Sequence, residues 1–141
     1  TRATTLTTAF TYQGKLACLR TEDGRVGWSR DIASAAGLSV RNDIVVTVDG
    51  SDVIQSVRPT GDAAWKQDGY VRRGVTTPIV AGDRVLFGDR FGSLSLLSLA
   101  DGVTLARLPL DGTPFASPPM IVDGIAYAQT VGGTVAAVAI R

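Results

Sequence analysis

A unit of about forty residues recurs along the chain, and this repeat constrains the fold more than any other feature. Each complete copy begins with a small residue, continues as a largely apolar strand and passes through a glycine turn. The copies are GKLACLRTEDGRVGW, SDVIQSVRPTGDAAW, GSLSLLSLADGVTLA and the shorter GTVAAVAIR. They start at positions 14, 51, 92 and 133, which are 37, 41 and 41 residues apart. Spacing this even indicates an architecture built from stacked structural repeats.

Glycine and tryptophan recur inside the copies at matching offsets. The first copy closes with Gly24 and Trp28, and the second copy closes with Gly61 and Trp65. The third copy has Ala106 where the others have tryptophan, so that junction is expected to be weaker or differently filled. We interpret the shared positions as structural residues that dock one unit on the next. They are Gly14, Gly24, Trp28, Gly61, Trp65, Gly92, Gly102 and Gly133.

A second repeated segment supports the same period. TPIVAGDRVLFGDRFG and SPPMIVDGIAYAQTVGG both run from a proline-bearing strand through a Gly and Asp turn into another strand, and LSVRNDIVVTVDGS is a weaker copy. Alternating apolar residues, separated by turns such as EDG, PTGD and VDG, predict four short strands per unit. Four strands in about forty residues are typical of a propeller blade. A β-sandwich, the alternative, does not require one glycine-to-tryptophan offset in successive units.

The sequence therefore predicts an all-β protein, namely a partial β-propeller of four-stranded antiparallel blades. The blades are expected at about 1–30 (partial), 31–67, 68–110 and 111–141, which makes three to four. Since propellers typically close with about four to eight blades, we expect this chain to be a piece of a larger ring. An open arc leaves two apolar blade faces bare, so the chain is expected to self-associate through them.

Composition and charge argue against several classes of function. The formal net charge is +1 with basic and acidic residues interspersed, which favours neither nucleic acid nor an anionic membrane surface. The chain has no histidine and one cysteine, and we identify no catalytic residues, no cofactor and no metal site. Cys18 is expected to be a small buried hydrophobic residue. Asp49 and Asp52 lack the further oxygen ligands of a calcium loop.

The unit G-x-L-x-x-L-x-x-x-x-G-x-x-x-W resembles the quinoprotein-type (PQQ-like) repeat, in which glycine and tryptophan dock consecutive blades. The order of longer segments, from about Phe10 onward, is more specific. These segments are TYQGKLACLRTEDGRVGWSRDI, VRNDIVVTVDGSDVIQSVRPTGDAAW, YVRRGVTTPIVAGDRVLFGDRFGSLSLLSLADG and PPMIVDGIAYAQTVGGTVAAVAIR. Together they resemble the C-terminal half of the BamB family, lipoprotein subunits of the machinery that assembles outer-membrane β-barrels.

This resemblance implies a non-catalytic scaffold within an eight-bladed ring at the periplasmic face of the bacterial outer membrane. The implied partners are periplasmic modules of the barrel-inserting subunit and unfolded outer-membrane proteins, with no nucleic acid. The lipid anchor is expected upstream of this chain, because Cys18 lies mid-strand without the small apolar residues that precede a lipidation site. The chief partner-contact loops of the family also lie upstream, so none of those residues is carried over.

Arg72 and Arg73, in GYVRRGVTTP, are the residues for which we predict a partner contact. They fall in a connection between units, where propellers present loops at one rim, and arginine is enriched at interface hot spots. The alternative for this pair is a solvated loop with local ion pairs. Asp89 and Arg90, in FGDRFG, are expected to pair across a hairpin or to cap its turn.

Two other functions stay open from the sequence. Quinoprotein dehydrogenases use the same blade repeat, so the chain could be a fragment of such an enzyme. An extracytoplasmic sensor propeller that binds a ligand or peptide at its central funnel is the other alternative.

Overall fold

The computed structural model describes residues 6–12, 14–32, 37–41 and 44–140, with residues 6–12 described by their backbone alone. Within these ranges the regular secondary structure is entirely β-strand. The strands, in chain order, are β1 (Leu6–Tyr12), β2 (Lys15–Arg20), β3 (Val26–Asp31), β4 (Gly37–Arg41), β5 (Ile44–Val48), β6 (Ile54–Val57), β7 (Ala63–Gln67), β8 (Ile79–Ala81), β9 (Arg84–Gly88), β10 (Ser93–Ser98), β11 (Thr104–Pro109), β12 (Met120–Val122), β13 (Ile125–Gln129) and β14 (Val135–Ala139).

The strands form four antiparallel sheets, each made of consecutive strands. The first sheet contains β1 to β3, the second β4 to β7, the third β8 to β11 and the fourth β12 to β14. The spatial order in every sheet follows the chain, so each sheet is a meander of the kind found in propeller blades. The predicted all-β fold with four-stranded antiparallel blades is confirmed, and the boundaries of the four units stay a prediction.

In each of the four units, a residue with a left-handed backbone precedes the equivalent strand, which is β2, β6, β10 or β14. Gly14, Gly92 and Gly133 have φ angles of 77°, 78° and 100° at this position, and in the second unit the residue is Asp52, with a φ of 65°. The amides of Asp52, Gly92 and Gly133 each donate to the carbonyl three residues earlier. The sequence alignment, which used Ser51, was therefore wrong by one residue, because the turn between β6 and β7 is shorter than its equivalents.

The apolar core lies in layers between neighbouring sheets. β5 and β6 are buried on both faces, since the second sheet has a neighbour on each side. The largest layer packs the second sheet against the third, and its buried members are Val46, Val48, Ile54, Trp65, Tyr70, Val75, Val85, Phe87 and Leu97. Smaller layers join the first sheet to the second and the third to the fourth. Burial on both faces explains why β5 is an almost continuous hydrophobic run, whereas β6 also buries the polar Gln55 and Ser56.

The outward face of the fourth sheet is apolar and exposed. The strand register places Met120, Tyr127 and Ala137 side by side across this face, and Met120 is 64% exposed. Val135, on the same face, is 70% exposed, and β14 has no second partner strand among the described residues. One bare blade face of the expected kind is thus present. The outward face of the first sheet includes side chains of β1, which lie outside the described residues.

Candidate partner-contact site

Arg72 and Arg73 lie in the connection between β7 and β8, which joins the second sheet to the third. This connection runs alongside the turn between β9 and β10. The amide of Arg90, in that turn, donates to the carbonyl of Arg73 at 2.9 Å, and the amide of Thr76 donates to the carbonyl of Gly88 at 2.9 Å. Two loops that are distant in sequence therefore form one surface at the rim.

The two arginines of the connection have different environments. Arg73 Nε donates to Asp89 Oδ2 at 2.9 Å, and the side chain of Asp89 is completely buried. Asp89 Oδ1 accepts hydrogen bonds from the amides of Phe91 and Ser93, at 2.9 and 3.2 Å. Asp89 thus caps its turn and pairs with Arg73 rather than with the neighbouring Arg90. Because Arg73 compensates a buried charge, its first role is to hold the two loops together.

Arg72 and Arg90 are exposed, and neither forms an ion pair within the part of the chain that the structure describes. Arg72 has a left-handed backbone with a φ of 66°, which turns the chain sharply at this point. The ring of Phe91 lies under two guanidinium groups, with the Cζ of Arg73 at 4.8 Å and that of Arg90 at 5.1 Å from its centroid. Such cation–π contacts contribute about 0.5–1 kcal/mol each at exposed sites. Phe91 nevertheless remains 49% exposed.

A hollow of about 490 Å³ opens beside these residues. Its walls are Gly50, Ser51, Asp52, Val71, Arg72 and Arg90. Asp52 is the only acidic residue in this wall, and its carboxylate accepts hydrogen bonds from the amides of Gly74 and Val75, at 3.2 and 3.0 Å. We define the rim surface as this hollow together with Phe91. Sequence reasoning noticed Arg90 only as a partner of Asp89 and missed Phe91, although the arginine–aromatic pair in FGDRFG was a signal.

The tryptophans contact the glycines of the following sheet. Trp65 Nε1 donates to the carbonyl of Leu99 at 2.7 Å, and a Cβ atom on Gly102 would lie 2.4 Å from the Trp65 ring. A Cβ atom on Gly61 would lie 2.8 Å from the Cβ of Trp28. Both contacts join consecutive sheets and leave no room for a side chain at the glycine. Blade docking by these residues is a prediction that the variants discussed below test.

The other predicted docking positions behave less uniformly. A Cβ atom on Gly92 would lie 2.7 Å from the carbonyl oxygen of Thr113, in the connection to the fourth sheet. Gly24 and Gly133 have open space around the position of a Cβ atom, and Gly14 has only an ordinary contact. Ala106, which replaces tryptophan in the third unit, is exposed on β11.

The acidic residues of the turns bind backbone amides. Asp49 Oδ1 accepts from the amides of Ser51 and Val53, at 2.8 and 3.0 Å, in the same arrangement as Asp89 in the next unit. Within the described ranges, no group of three or more His, Cys, Asp or Glu side chains is placed to hold a metal ion. Cys18 is buried in the layer between the first and second sheets.

No helix in the described residues is long and apolar enough to cross a membrane. Meander sheets stacked through apolar layers define the class of this protein, which is a partial β-propeller. Solved structures share this fold. BamB from Moraxella catarrhalis matches with a TM-score of 0.75 and 19% identity, over 92% of this chain and 41% of that one. The computationally designed Ika4 protein matches with a TM-score of 0.78 and 17% identity, over 100% of this chain and 94% of that one.

The family described as "Outer membrane protein assembly factor BamB" matches residues 2–67 and 51–141. The outer membrane protein assembly factors BamB of Burkholderia pseudomallei and Xanthomonas campestris are 32% and 31% identical to this chain over 130 residues, which is 92% of it. The Escherichia coli protein is 27% identical over 128 residues. The chain spans about a third of the length of these relatives, between 32% and 34%. It belongs to the BamB family, as the resemblance in its repeats predicted.

Proposed function

We propose that the protein is a non-catalytic scaffold subunit of the β-barrel assembly machinery. The observation that carries this proposal is the family match, which extends over residues 2–67 and 51–141. The curated relatives that match 92% of the chain are named outer membrane protein assembly factors. From these names we infer a place at the periplasmic face of the outer membrane, and no cofactor.

The chemistry of the rim supports a contact role. Asp49, Asp52 and Asp89 all accept hydrogen bonds from backbone amides, and Asp89 also pairs with Arg73, so these carboxylates stabilise the turns and join the loops. The groups left available to solvent are guanidinium, aromatic and aliphatic side chains, which are the residue types that dominate protein interfaces. The proposed partners are periplasmic modules of the barrel-inserting subunit and unfolded outer-membrane proteins. Arg72 and Arg73 remain our candidates for the contact, with Arg72 reaching the partner and Arg73 positioning Phe91.

The proposed ring also accounts for the exposed apolar face of the fourth sheet. Further blades, as in the eight-bladed ring that the family resemblance implies, would stack on Met120, Tyr127 and Val135 in the way that the third sheet stacks on the second. The scaffold would then present its rim loops on a rigid body.

Capture on immobilised periplasmic modules of the barrel-inserting subunit tests this function. We expect the protein to be retained. Replacing Arg72 by Glu is expected to weaken retention. The same replacement at Arg25, an exposed arginine of the β2–β3 turn, should leave retention unchanged. Absence of retention, together with quinone absorbance and dye-linked dehydrogenase activity, would refute the scaffold and favour the enzyme.

A further inference from the structure

We propose that the rim surface binds an acidic segment of a partner protein, with carboxylates on Arg72 and Arg90 and an apolar side chain on Phe91 and Val71. This inference rests on the proposed scaffold function, for which it specifies the chemistry of one contact. It differs from the sequence prediction in one respect: Arg90 and Phe91, rather than Arg73, accompany Arg72 in touching the partner.

Charge is the first argument. The carboxylate of Asp89 pairs with Arg73 and accepts hydrogen bonds from two backbone amides. The carboxylate of Asp52 accepts hydrogen bonds from two other backbone amides. The nearby carboxylates are thus already engaged, while Arg72 and Arg90 have no ion pair among the described residues. An unpaired guanidinium pair selects a partner with carboxylates, which arginine can bind through two parallel hydrogen bonds.

Exposed apolar surface is the second argument. Phe91 is 49% exposed and Val71 is 43% exposed, and each is the chain neighbour of an exposed arginine, Arg90 and Arg72 respectively. Phe91 is held by Arg73 and Arg90, so it loses little freedom when a partner covers it. Aromatic and arginine side chains arranged in this way are characteristic of interface hot spots.

Rigidity of the supporting loops is the third argument. Asp52 belongs to the second sheet's β5–β6 turn, and its bonds to Gly74 and Val75 fix the β7–β8 connection. The same connection is fixed to the third sheet through Arg73 and Asp89. The rim surface is therefore built across two blades, and hydrogen bonds fix the backbone from which Arg72 and Arg90 extend.

A lipid or nucleic-acid partner fits these residues less well. Recognition of anionic lipid by a basic patch uses about four to eight lysines or arginines, and the rim surface offers two unpaired ones. A nucleic acid could stack a base on Phe91, but two cations supply little of the phosphate neutralisation on which nucleic-acid affinity depends. A protein segment that alternates acidic and apolar side chains satisfies both kinds of group.

Fluorescence anisotropy with a labelled peptide that alternates Glu and Phe tests the inference. We expect saturable binding to the full 141-residue chain, weakened by added salt because exposed charges are screened. Arg72→Gln and Arg90→Gln are each expected to weaken binding roughly tenfold, and Phe91→Ser by a similar factor. Arg25→Gln removes the same charge from an exposed turn elsewhere and is the matched control. The unfolding midpoint of each variant establishes that it is folded.

Equal binding of a peptide with Gln in place of Glu would overturn the inference. So would an equal loss in Arg25→Gln, absence of binding, or preferential binding to vesicles of anionic phospholipid. Retention by the barrel-inserting subunit without any affinity for the acidic peptide would overturn this inference alone. Affinity for the peptide without retention by that subunit would overturn the proposed function alone.

Discussion

Trp28 and Trp65 occupy the same place in consecutive blades, but their indole nitrogens differ. Trp65 Nε1 donates to the carbonyl of Leu99, whereas Trp28 Nε1 is buried without a hydrogen-bond partner in the described structure. In the turn that faces Trp28, the amide of Gly61 donates to the carbonyl of Arg58, three residues earlier. In the turn that faces Trp65, the amide of Gly102 donates to the carbonyl of Ser98, four residues earlier. Trp28 Nε1 thus reaches no carbonyl of the shorter turn.

Replacing each tryptophan by phenylalanine should therefore give unequal results. Trp65→Phe leaves the Leu99 carbonyl without its donor and is expected to lower the free energy of unfolding by about 1–3 kcal/mol beyond the loss of ring area. Trp28→Phe removes an unsatisfied donor and should be less destabilising. Urea titration of both variants measures this difference. Equal losses of unfolding free energy in the two variants would show that the hydrogen bond from Trp65 to Leu99 contributes nothing to stability.

The glycines in front of these rings allow a second comparison at single positions. Gly102 and Gly24 are equivalent in the repeat and have φ angles of 76° and 72°, but only Gly102 lies against a tryptophan ring. Alanine at either position has the cost of a left-handed backbone, about 1–2 kcal/mol. Gly102→Ala must also displace Trp65, which adds about 1–3 kcal/mol. We expect the unfolding midpoint of Gly102→Ala to fall well below that of Gly24→Ala; similar midpoints would contradict blade docking at this glycine.

At the scale of elements, Asp111 joins the β11–β12 connection to the β13–β14 turn. Its Oδ1 accepts from the amide and hydroxyl of Thr113, at 2.9 and 2.6 Å. Its Oδ2 accepts from the hydroxyls of Thr130 and Thr134, at 2.5 and 2.7 Å. The hydroxyls of Thr113, Thr130 and Thr134 hold the pKa of this carboxyl well below its ordinary value.

Acid is expected to weaken this connection. Because the folded-state pKa of Asp111 is depressed, its stabilising contribution is present above the unfolded-state pKa, about 3.9, and is lost as pH falls towards the folded-state pKa. Asp111→Asn should therefore lower the unfolding temperature at neutral pH, and its difference from the parent should shrink below about pH 4. Thermal unfolding across this range measures the effect. Asp68→Asn, an exposed aspartate, is the control, and a pH-independent deficit in Asp111→Asn would contradict this account.

At the scale of the whole molecule, we predict the behaviour of the chain in solution from the bare face of the fourth sheet. Met120, Val122, Tyr127 and Val135 form a contiguous apolar face, and among the described residues β14 pairs only with β13. Neither feature is common on a monomer, because apolar patches and open edges promote association.

The 141-residue chain is accordingly expected to self-associate. Light scattering should give a mass above that of one chain, rising with concentration, and the double variant Met120→Lys with Val135→Lys should reduce it. Val103→Lys is the matched control, since Val103 is exposed on the β10–β11 turn, away from this face. A monomer at all concentrations would show that the exposed face does not drive association.

Much of the architecture could be predicted from the sequence because each blade needs the same types of residue at the same structural positions. Glycine recurs where the turn needs a left-handed backbone, and tryptophan recurs where a ring meets the next sheet, so the period indicated stacked blades. The second unit was misaligned by one residue because Asp52 adopts the left-handed backbone that glycine adopts elsewhere. Because the turn between β6 and β7 is one residue shorter, the spacing from Ser51 to Trp65 still matched that of the first copy.

The sequence by itself determined the strand pattern, the repeat and the position of Arg72 and Arg73 in a connection between blades. These follow from local backbone preferences and from the alternation of apolar residues. Only the tertiary structure decided that Arg73 pairs with the buried Asp89, and that Arg72 and Arg90 are left facing solvent beside Phe91. Those pairings depend on how closely two loops from separate blades approach, and that distance is set by the packing of whole sheets.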